Sequence, residues 1–257
     1  GKQKRTIEEQ AIFQAQSLWN EKLDEGYKNI QYIFNCFPNC GLPEIDYPKD
    51  TLIEAFKQKP ELAYTNYNGD ELPMLAHKFK EIKNPTYPYI SQPKLDGVRC
   101  IVKYDKQNNK VKLVSRGGQY YQIPHLISAL EELYNNINKD IILDGEIYKH
   151  GVPLQEISGA ARKEESGMFA SNSWLEYHIY DIIEHKEDVQ NYRAETLNLI
   201  SSFFTKNHCL KIVETSIVDN KDEVQQLHDE YVSQGYEGLI LRDPDGIYEF
   251  NQRSKFL

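Results

Sequence analysis

Ser91-Gln92-Pro93-Lys94-Leu95-Asp96-Gly97-Val98-Arg99-Cys100 is the stretch on which the reading of this chain turns. Pro93 withholds one ladder donor from a strand and Asp96-Gly97 is a turn dipeptide, so Lys94 is expected at a break between two extended segments. An amine held there beside a carboxylate, Asp96, a flexible glycine and an arginine can serve as a covalent nucleophile. In that reading Arg99 grips a phosphate and Gly97 lets the backbone approach a ligand. The same residues also make an ordinary surface β-turn with a salt bridge, and short patterns recur by chance. The rest of the chain decides between the two.

Downstream, Arg99 to Lys106 and Lys110 to Ser115 read as strands about a Gln107-Asn108-Asn109 turn, the second running into Ser115-Arg116-Gly117-Gly118. Leu126, Leu130 and Leu133 mark a helix that fades into Asn135-Asn136. Ile141-Ile142-Leu143-Asp144-Gly145-Glu146-Ile147-Tyr148 is an apolar run into a strand, and the two-residue period puts Asp144 and Glu146 on one face. Two carboxylates there are costly unless they bind something; an edge strand with both acids in water is the other possibility. Trp174 to Ile183 is strand-like again, with Leu175, Tyr177, Ile179 and Ile183 on one face and His178 and Tyr180 on the other. Asn220-x-x-Glu223 caps a helix with Val224, Leu227 and Tyr231 inward and Gly235 at its end. Tyr236-Glu237-Gly238-Leu239-Ile240-Leu241-Arg242 then forms a strand closed by an Asp243-Pro244-Asp245-Gly246 turn.

Upstream, Thr6-Ile7-Glu8-Glu9 is a capping box opening a helix with Ile12, Ala15, Trp19 and Leu23 on one stripe and Gly26 past its end. Pro38, Gly41, Pro43 and Pro48 make residues 34–48 a loop, and Thr51-x-x-Glu54 starts a short helix through Phe56 that Pro60 ends. Residues 1–72 are therefore expected to be an N-terminal helical extension, with the catalytic unit over 73–257. Cys36, Cys40, Cys100 and Cys209 are too few and too scattered for a disulfide scaffold. Cys36-Phe37-Pro38-Asn39-Cys40 is either half of a zinc site or a reduced loop, and no second spaced pair completes it.

With 27% charged residues, a mean hydropathy of -0.66 and no long apolar run, a membrane span is not expected. No signal-peptide pattern is visible either, so an intracellular protein is expected. The net charge of -9 does not favour a partner made of phosphates unless a local basic face supplies one. Lys78, Lys80 and Lys83, or Lys103, Lys106, Lys110 and Lys112, are candidates for that face; they equally suit a solvated surface.

Taken in order, Lys94-x-Asp96-Gly97-x-Arg99, Asp144-Gly145-Glu146, Tyr180-Asp181 and Glu237-Gly238-Leu239-Ile240-Leu241-Arg242 resemble the motif series of the covalent nucleotidyltransferases. This superfamily comprises DNA ligases, RNA ligases and mRNA capping enzymes. Pro73-Met74-Leu75-Ala76, shortly ahead of Lys94, resembles the stretch that many ATP-dependent DNA ligases carry there, although Met74 and Leu75 also suit a core. Over 73–257 the chain is therefore similar to an ATP-dependent DNA ligase adenylation domain of the kind familiar from phages and large viruses. The resemblance implies an α+β fold of two mainly antiparallel β-sheets flanked by helices, ATP-grasp-like, around a nucleotide cleft. It implies ATP, bound as AMP, and Mg²⁺ as cofactors, nicked duplex DNA as partner, and a monomer. RNA ligase or mRNA guanylyltransferase is the alternative, and a nucleotide-sensing domain without turnover is a third.

The resemblance also assigns roles. Lys94 becomes the catalytic nucleophile, and Gln92, Pro93, Lys94, Leu95, Arg99, Arg116, Glu146 and Tyr180 become nucleotide-binding. Arg116 would bind nucleotide or the 5′-phosphate of a nick, Glu146 ribose or metal, and Glu237 the divalent cation, while the Tyr180 ring would stack on the purine. The plainer alternatives are a turn arginine and a core aromatic. Lys94 would attack the α-phosphate of ATP to give a lysyl phosphoramidate and pyrophosphate, AMP would pass to the 5′-phosphate, and the 3′-hydroxyl would displace it. Nearby cations, Mg²⁺ with Arg99, are expected to lower the lysine pKa. Two departures stand out. Gln92 occupies the position where many cellular ligases carry a glutamate that reads the adenine amino group. Arg253-Ser254-Lys255-Phe256-Leu257 resembles the approach to the last motif, whose lysine pair contacts the α-phosphate; Lys255 sits too early for it, and that pair and an oligonucleotide-binding (OB-fold) domain are expected beyond this chain.

Overall fold

The computed structural model describes residues 14–15, 65, 69–137, 139–162, 172–203 and 208–257. By its internal contacts the chain divides into two units, Gly1–Leu72 and Pro73–Leu257, and the fold described is that of the second. The helices expected before residue 60, the loop at 34–48 and the Cys36/Cys40 pair lie outside the described residues, apart from Gln14 and Ala15, which are helical.

Three sheets carry the described strands. A two-stranded parallel pair joins β1 (Leu75–Ala76) to β11 (Arg253–Ser254). A three-stranded antiparallel sheet places β2 (Tyr89–Lys94) between β9 (Ser216–Val218) and β10 (Gly238–Arg242). The large sheet has six strands: β3 (Val98–Asp105), β4 (Lys110–Ser115), β5 (Tyr120–Tyr121), β6 (Ile142–Tyr148), β7 (Glu176–Ile183) and β8 (Leu210–Ile212). Its order is β5-β4-β3-β6-β7-β8, antiparallel except where β8 joins β7. The α+β class of two mainly antiparallel sheets with helices is thus what the chain adopts.

The turn between β3 and β4 follows from its sequence. The Asp105 carboxylate accepts hydrogen bonds from the backbone of Gln107 and Asn108, and Asn109 takes the left-handed conformation, φ 51°, that asparagine tolerates. Helix α1 (Pro124–Ile137) opens on a proline, which loses nothing by lacking an N–H in the first turn, and buries Leu126, Ala129, Leu130 and Leu133 at helical spacing. These pack with Cys100, Val102, Leu113, Leu143, Ile147, Tyr177 and Ile179, the residues that one face of the large sheet contributes to a single core. Each fully buried aliphatic side chain adds about 1.5–3 kcal/mol.

Two further helices cover this face, α2 (Leu154–Ala161) and α3 (Gln190–Ile200). Neither starts with a side-chain cap, and the buried side of α3 mixes Gln190, Arg193 and Thr196 with Leu197 and Ile200. An apolar stripe was therefore not there to be read. Helix α4 (Lys221–Ser233) begins as its sequence requires, with Asn220 accepting from the Glu223 amide and Glu223 accepting from the Asp219 amide. It ends at Gly235, φ +92°. Only Tyr231 of its three expected core residues is fully buried; Val224 and Leu227 are half-exposed.

One expectation about β7 is corrected. Asp144 of β6 pairs with Asp181 and Gly145 with Ile179, so Tyr180 is an extra residue, a β-bulge. Beyond it the alternation is reversed. Ile182, not Ile183, joins the helix-covered core, and Asp181 falls on the same face as Asp144.

Candidate active site

Lys94 is the last residue of β2 in the small sheet, and Val98 the first of β3 in the large one. Leu95-Asp96-Gly97 alone joins them, so the expected break is a crossing between sheets. Pairing of β2 with β9 stops at Ser91, so Pro93 falls where only β10 still pairs with the strand. A Cβ on Gly97 would stand 2.5 Å from the Ile147 carbonyl and 2.7 Å from the Glu146 Cγ. The glycine therefore lets the backbone of the crossing lie close against β6.

The register of β2 with β10 sets Gly238 opposite Lys94 and brings Glu237 beside it, its amide donating to the Lys94 carbonyl at 2.9 Å. Lys94 Nζ and Glu237 Oε1 form an ion pair in which both side chains keep substantial exposure, 40% and 49%. The carboxylate beside the lysine is thus Glu237; Asp96 stays exposed in the turn.

The groups near this pair lie on the face of the large sheet opposite its shared apolar core. Arg99 donates from Nε and Nη2 to the two oxygens of Asp144, at 2.6 and 2.5 Å, and from Nη2 to the Met74 carbonyl at 3.1 Å. The Tyr248 hydroxyl donates to Asp144 at 2.6 Å and accepts from the Met74 amide at 3.1 Å. A closed polar ring thereby ties the Pro73–Ala76 stretch and the segment after β10 to β3 and β6. Arg99, expected to grip a phosphate, spends these nitrogens on protein, with Nη1 outside the bonds.

Glu146 pairs with Arg99 across the ladder and accepts from the Tyr180 hydroxyl at 3.2 Å. Burial pushes its carboxyl up to about 7, against the pull of Arg99, the Tyr180 hydroxyl and Lys94. The Tyr180 ring has guanidinium neighbours, Arg99 at 5.1 Å and Arg242 at 5.4 Å from its centroid. Arg116 is exposed in the turn after β4, one residue past the Ser115–Cys100 pair and so at the Arg99 end of the sheet. Pro93 and Leu95 are buried to either side of Lys94. The structure thus gathers Gln92, Lys94, Glu237, Glu146, Tyr180 and Arg99, and leaves Arg116 at the periphery. Among the described residues no group of three or more His, Cys, Asp or Glu side chains is arranged to hold a metal by itself.

Sequence reasoning missed the cluster beneath. Asp181, fully buried, accepts from Arg193 Nε at 2.9 Å and Nη2 at 3.2 Å and from Arg242 Nη1 at 2.8 Å. Burial raises its carboxyl, but Arg242 and Arg193 outweigh that and hold it below the ordinary range. Arg193 also donates to Gln190 and to the Asp188 and Gly246 carbonyls. Arg242 Nε donates to Gln92 Oε1 at 2.8 Å. Asp181 and Arg242 stood inside quoted motifs, and two buried-strand residues of opposite charge are a signal for pairing. Arg193 carried none.

Comparison with known proteins bears on this geometry. A family model described as "ATP dependent DNA ligase domain" matches residues 73–257. The chain is 29% identical over 195 residues to a DNA ligase of African swine fever virus (isolate Tick/Malawi/Lil 20-1/1983), covering 73% of this chain and 45% of that protein. It is 25% identical over 236 residues to the DNA ligase of Enterobacteria phage T4, covering 72% and 47%. The chain thus spans about half the length of these relatives. The crystal structure of a Chlorella virus DNA ligase-adenylate shares the fold, with a TM-score of 0.57 at 23% identity over 72% of this chain and 63% of that one.

Proposed function

The chain belongs to the ATP-dependent DNA ligase domain family, and from that premise we propose that its 73–257 unit is the adenylation domain of a DNA ligase, with 1–72 a separate extension. The observation that carries the reading is the Lys94–Glu237 ion pair at the crossing between the sheets, with Lys94 near enough to Glu146 to pull on its carboxyl. Lys94 loses a proton to solvent, and its nitrogen attacks the α-phosphorus of ATP. A P–N bond forms and pyrophosphate leaves. The AMP then passes to the 5′-phosphate of a nick in duplex DNA, and the 3′-hydroxyl displaces it.

Gln92, Pro93, Leu95, Arg116, Glu146 and Tyr180 are assigned to the nucleotide, with Tyr180 beside the base and Arg116 on phosphate. Arg99, held by Asp144, offers Nη1 to the phosphates. Glu237 and Glu146 suit Mg²⁺, which takes one or two carboxylates together with substrate phosphates. When bound, it screens the charge that builds on the phosphates. Lys103 and Lys112 pair directly across β3 and β4, and Lys112 lies 5.8 Å from the Tyr120 ring centroid. Both alternate in step with Arg99, so a basic and aromatic strip continues the site's face and supports a DNA partner despite the net charge of -9. The unit is proposed to work as a monomer, inside the cell, with an oligonucleotide-binding (OB-fold) domain completing the grip on DNA. Incubation with α-labelled ATP and a chase with nicked DNA or RNA tests this. Lys94→Ala should abolish labelling; label retained on that variant would sink the assignment.

A further inference from the structure

Gln92 and Lys94 are two residues apart on β2, hence on one face and about 6.7 Å from each other along the strand. A nucleotide joined through its α-phosphorus to Lys94 and lying along that face brings its base to Gln92. The orientation of the Gln92 carboxamide then matters, and its neighbours fix it. Arginine only donates and a carbonyl only accepts. Arg242 Nε at 2.8 Å therefore marks the oxygen end, and the Tyr180 carbonyl at 3.0 Å the nitrogen end. The second amide hydrogen goes to Thr215 Oγ1 at 3.3 Å, whose own proton is directed to the Val213 carbonyl. Both N–H groups are thus used, and the capacity that remains on Gln92 is a lone pair of Oε1. Arg242 cannot swing away, because Nη1 is held by Asp181, which Arg193 holds in turn, all three at 2% exposure or less.

We propose that Arg242 is a specificity-positioning residue: by locking the Gln92 carboxamide it leaves the base site an acceptor only, which selects a purine with a 6-amino group over one with a 6-oxo group. A 6-amino group donates to Oε1. A 6-oxo group sets oxygen against oxygen and leaves a buried acceptor unpaired. On this account Gln92 does the work of a carboxylate, because Arg242 takes away the freedom to present its N–H edge. The proposal rests on the nucleotide-binding part of the reading above, with the base beside Gln92, and not on the transfer of AMP to Lys94.

The test compares ATP, 2,6-diaminopurine riboside triphosphate and inosine triphosphate on the 257-residue chain, by calorimetric affinity and, separately, by covalent labelling. The two 6-amino nucleotides should bind on the order of a hundredfold better than inosine triphosphate. Arg242→Met should cut that ratio by about tenfold or more, whereas a loss of packing alone would weaken all three nucleotides alike. Gln92→Glu, an acceptor at both ends, should keep the ratio. If Arg242→Met does not fold, Gln92→Met takes its place and should lose the ratio. Parent affinities within about threefold of each other, or an unchanged ratio in the methionine variant read, would overturn the proposal. A 6-amino preference in binding with no label on Lys94 from any nucleotide would instead overturn the adenylation reading and leave this inference standing.

Discussion

The two faces of the six-stranded sheet are made by alternate residues of the same strands, yet they are held by opposite means. On the helix side Cys100, Val102, Leu143, Ile147, Tyr177 and Ile179 share one apolar core with residues of three helices. Apart from tyrosine hydroxyls such as that of Tyr177, which donates to the Cys100 carbonyl at 3.0 Å, contacts there are non-directional, and another side chain of similar volume would serve. On the other side Arg99, Asp144, Glu146, Tyr180 and Asp181 each have named partners at hydrogen-bond or ring-contact distance. Burial of these groups is favourable only while every partner is present. Stability is therefore generic on one face and conditional on the other, and the conditional face is the one turned to Lys94.

The comparison is most severely tested by Asp181→Ala, which leaves Arg193 and Arg242 buried without their carboxylate and should cost about 3–5 kcal/mol in urea unfolding. A cost below about 1 kcal/mol would mean the cluster is as replaceable as the apolar face. Leu143→Ala, two positions from Gly145 on the helix side of the same strand, should cost about 2–4 kcal/mol by leaving a cavity, and should reduce labelling by ATP only in proportion to the folded fraction. Selective loss of labelling in that variant would blur the distinction between the faces.

Smaller effects sharpen it. The Glu146 carboxyl is raised from 4.5 to about 7 in the folded protein. Its contribution to stability is therefore complete below about pH 4.5 and is lost as pH rises through about 7. Glu146→Gln escapes that loss, so its stability relative to the parent should improve from pH 5 to pH 8 by roughly 1–2 kcal/mol, after allowance for partial exposure. A difference independent of pH would show that the carboxyl is solvated. Lys94→Ala should change stability least, by under about 0.5 kcal/mol, since its ion pair with Glu237 faces water. A larger melting shift in this variant would place Lys94 among the structural groups.

What could be read beforehand follows the same division. Lys94, Glu146 and Glu237 were expected together because the motif series that the chain resembles carries them in order, and the structure brings Lys94 to Glu237 and near Glu146. The β3–β4 hairpin and α1 were legible from Asn108-Asn109 and from the leucine spacing. The bulge at Tyr180 was not, because nothing in Tyr177-His178-Ile179-Tyr180-Asp181 marks an inserted residue; it shows only when Asp144 and Gly145 are paired across from it. Helix α3 hid behind its polar inner face, and Arg193 behind the helix. Arg99 was identified, but its engagement with Asp144 depends on a register that the sequence leaves open. Partners far apart along the chain are the part that alternation cannot supply.

That separation has a consequence for how the protein is made. Gln92 meets Arg242 150 residues further on, and Lys94 lies on the same strand, completed by the same late segment. At typical rates of synthesis roughly 10–30 s pass between the emergence of the lysine and that of its strand partner. A nascent chain therefore carries Lys94 without Glu237, Gln92 without Arg242, and β2 without the neighbouring β10. The small sheet and the Lys94–Glu237 pair are thus completed only once translation has passed residue 242, so this corner of the fold is among the last parts of the unit to close.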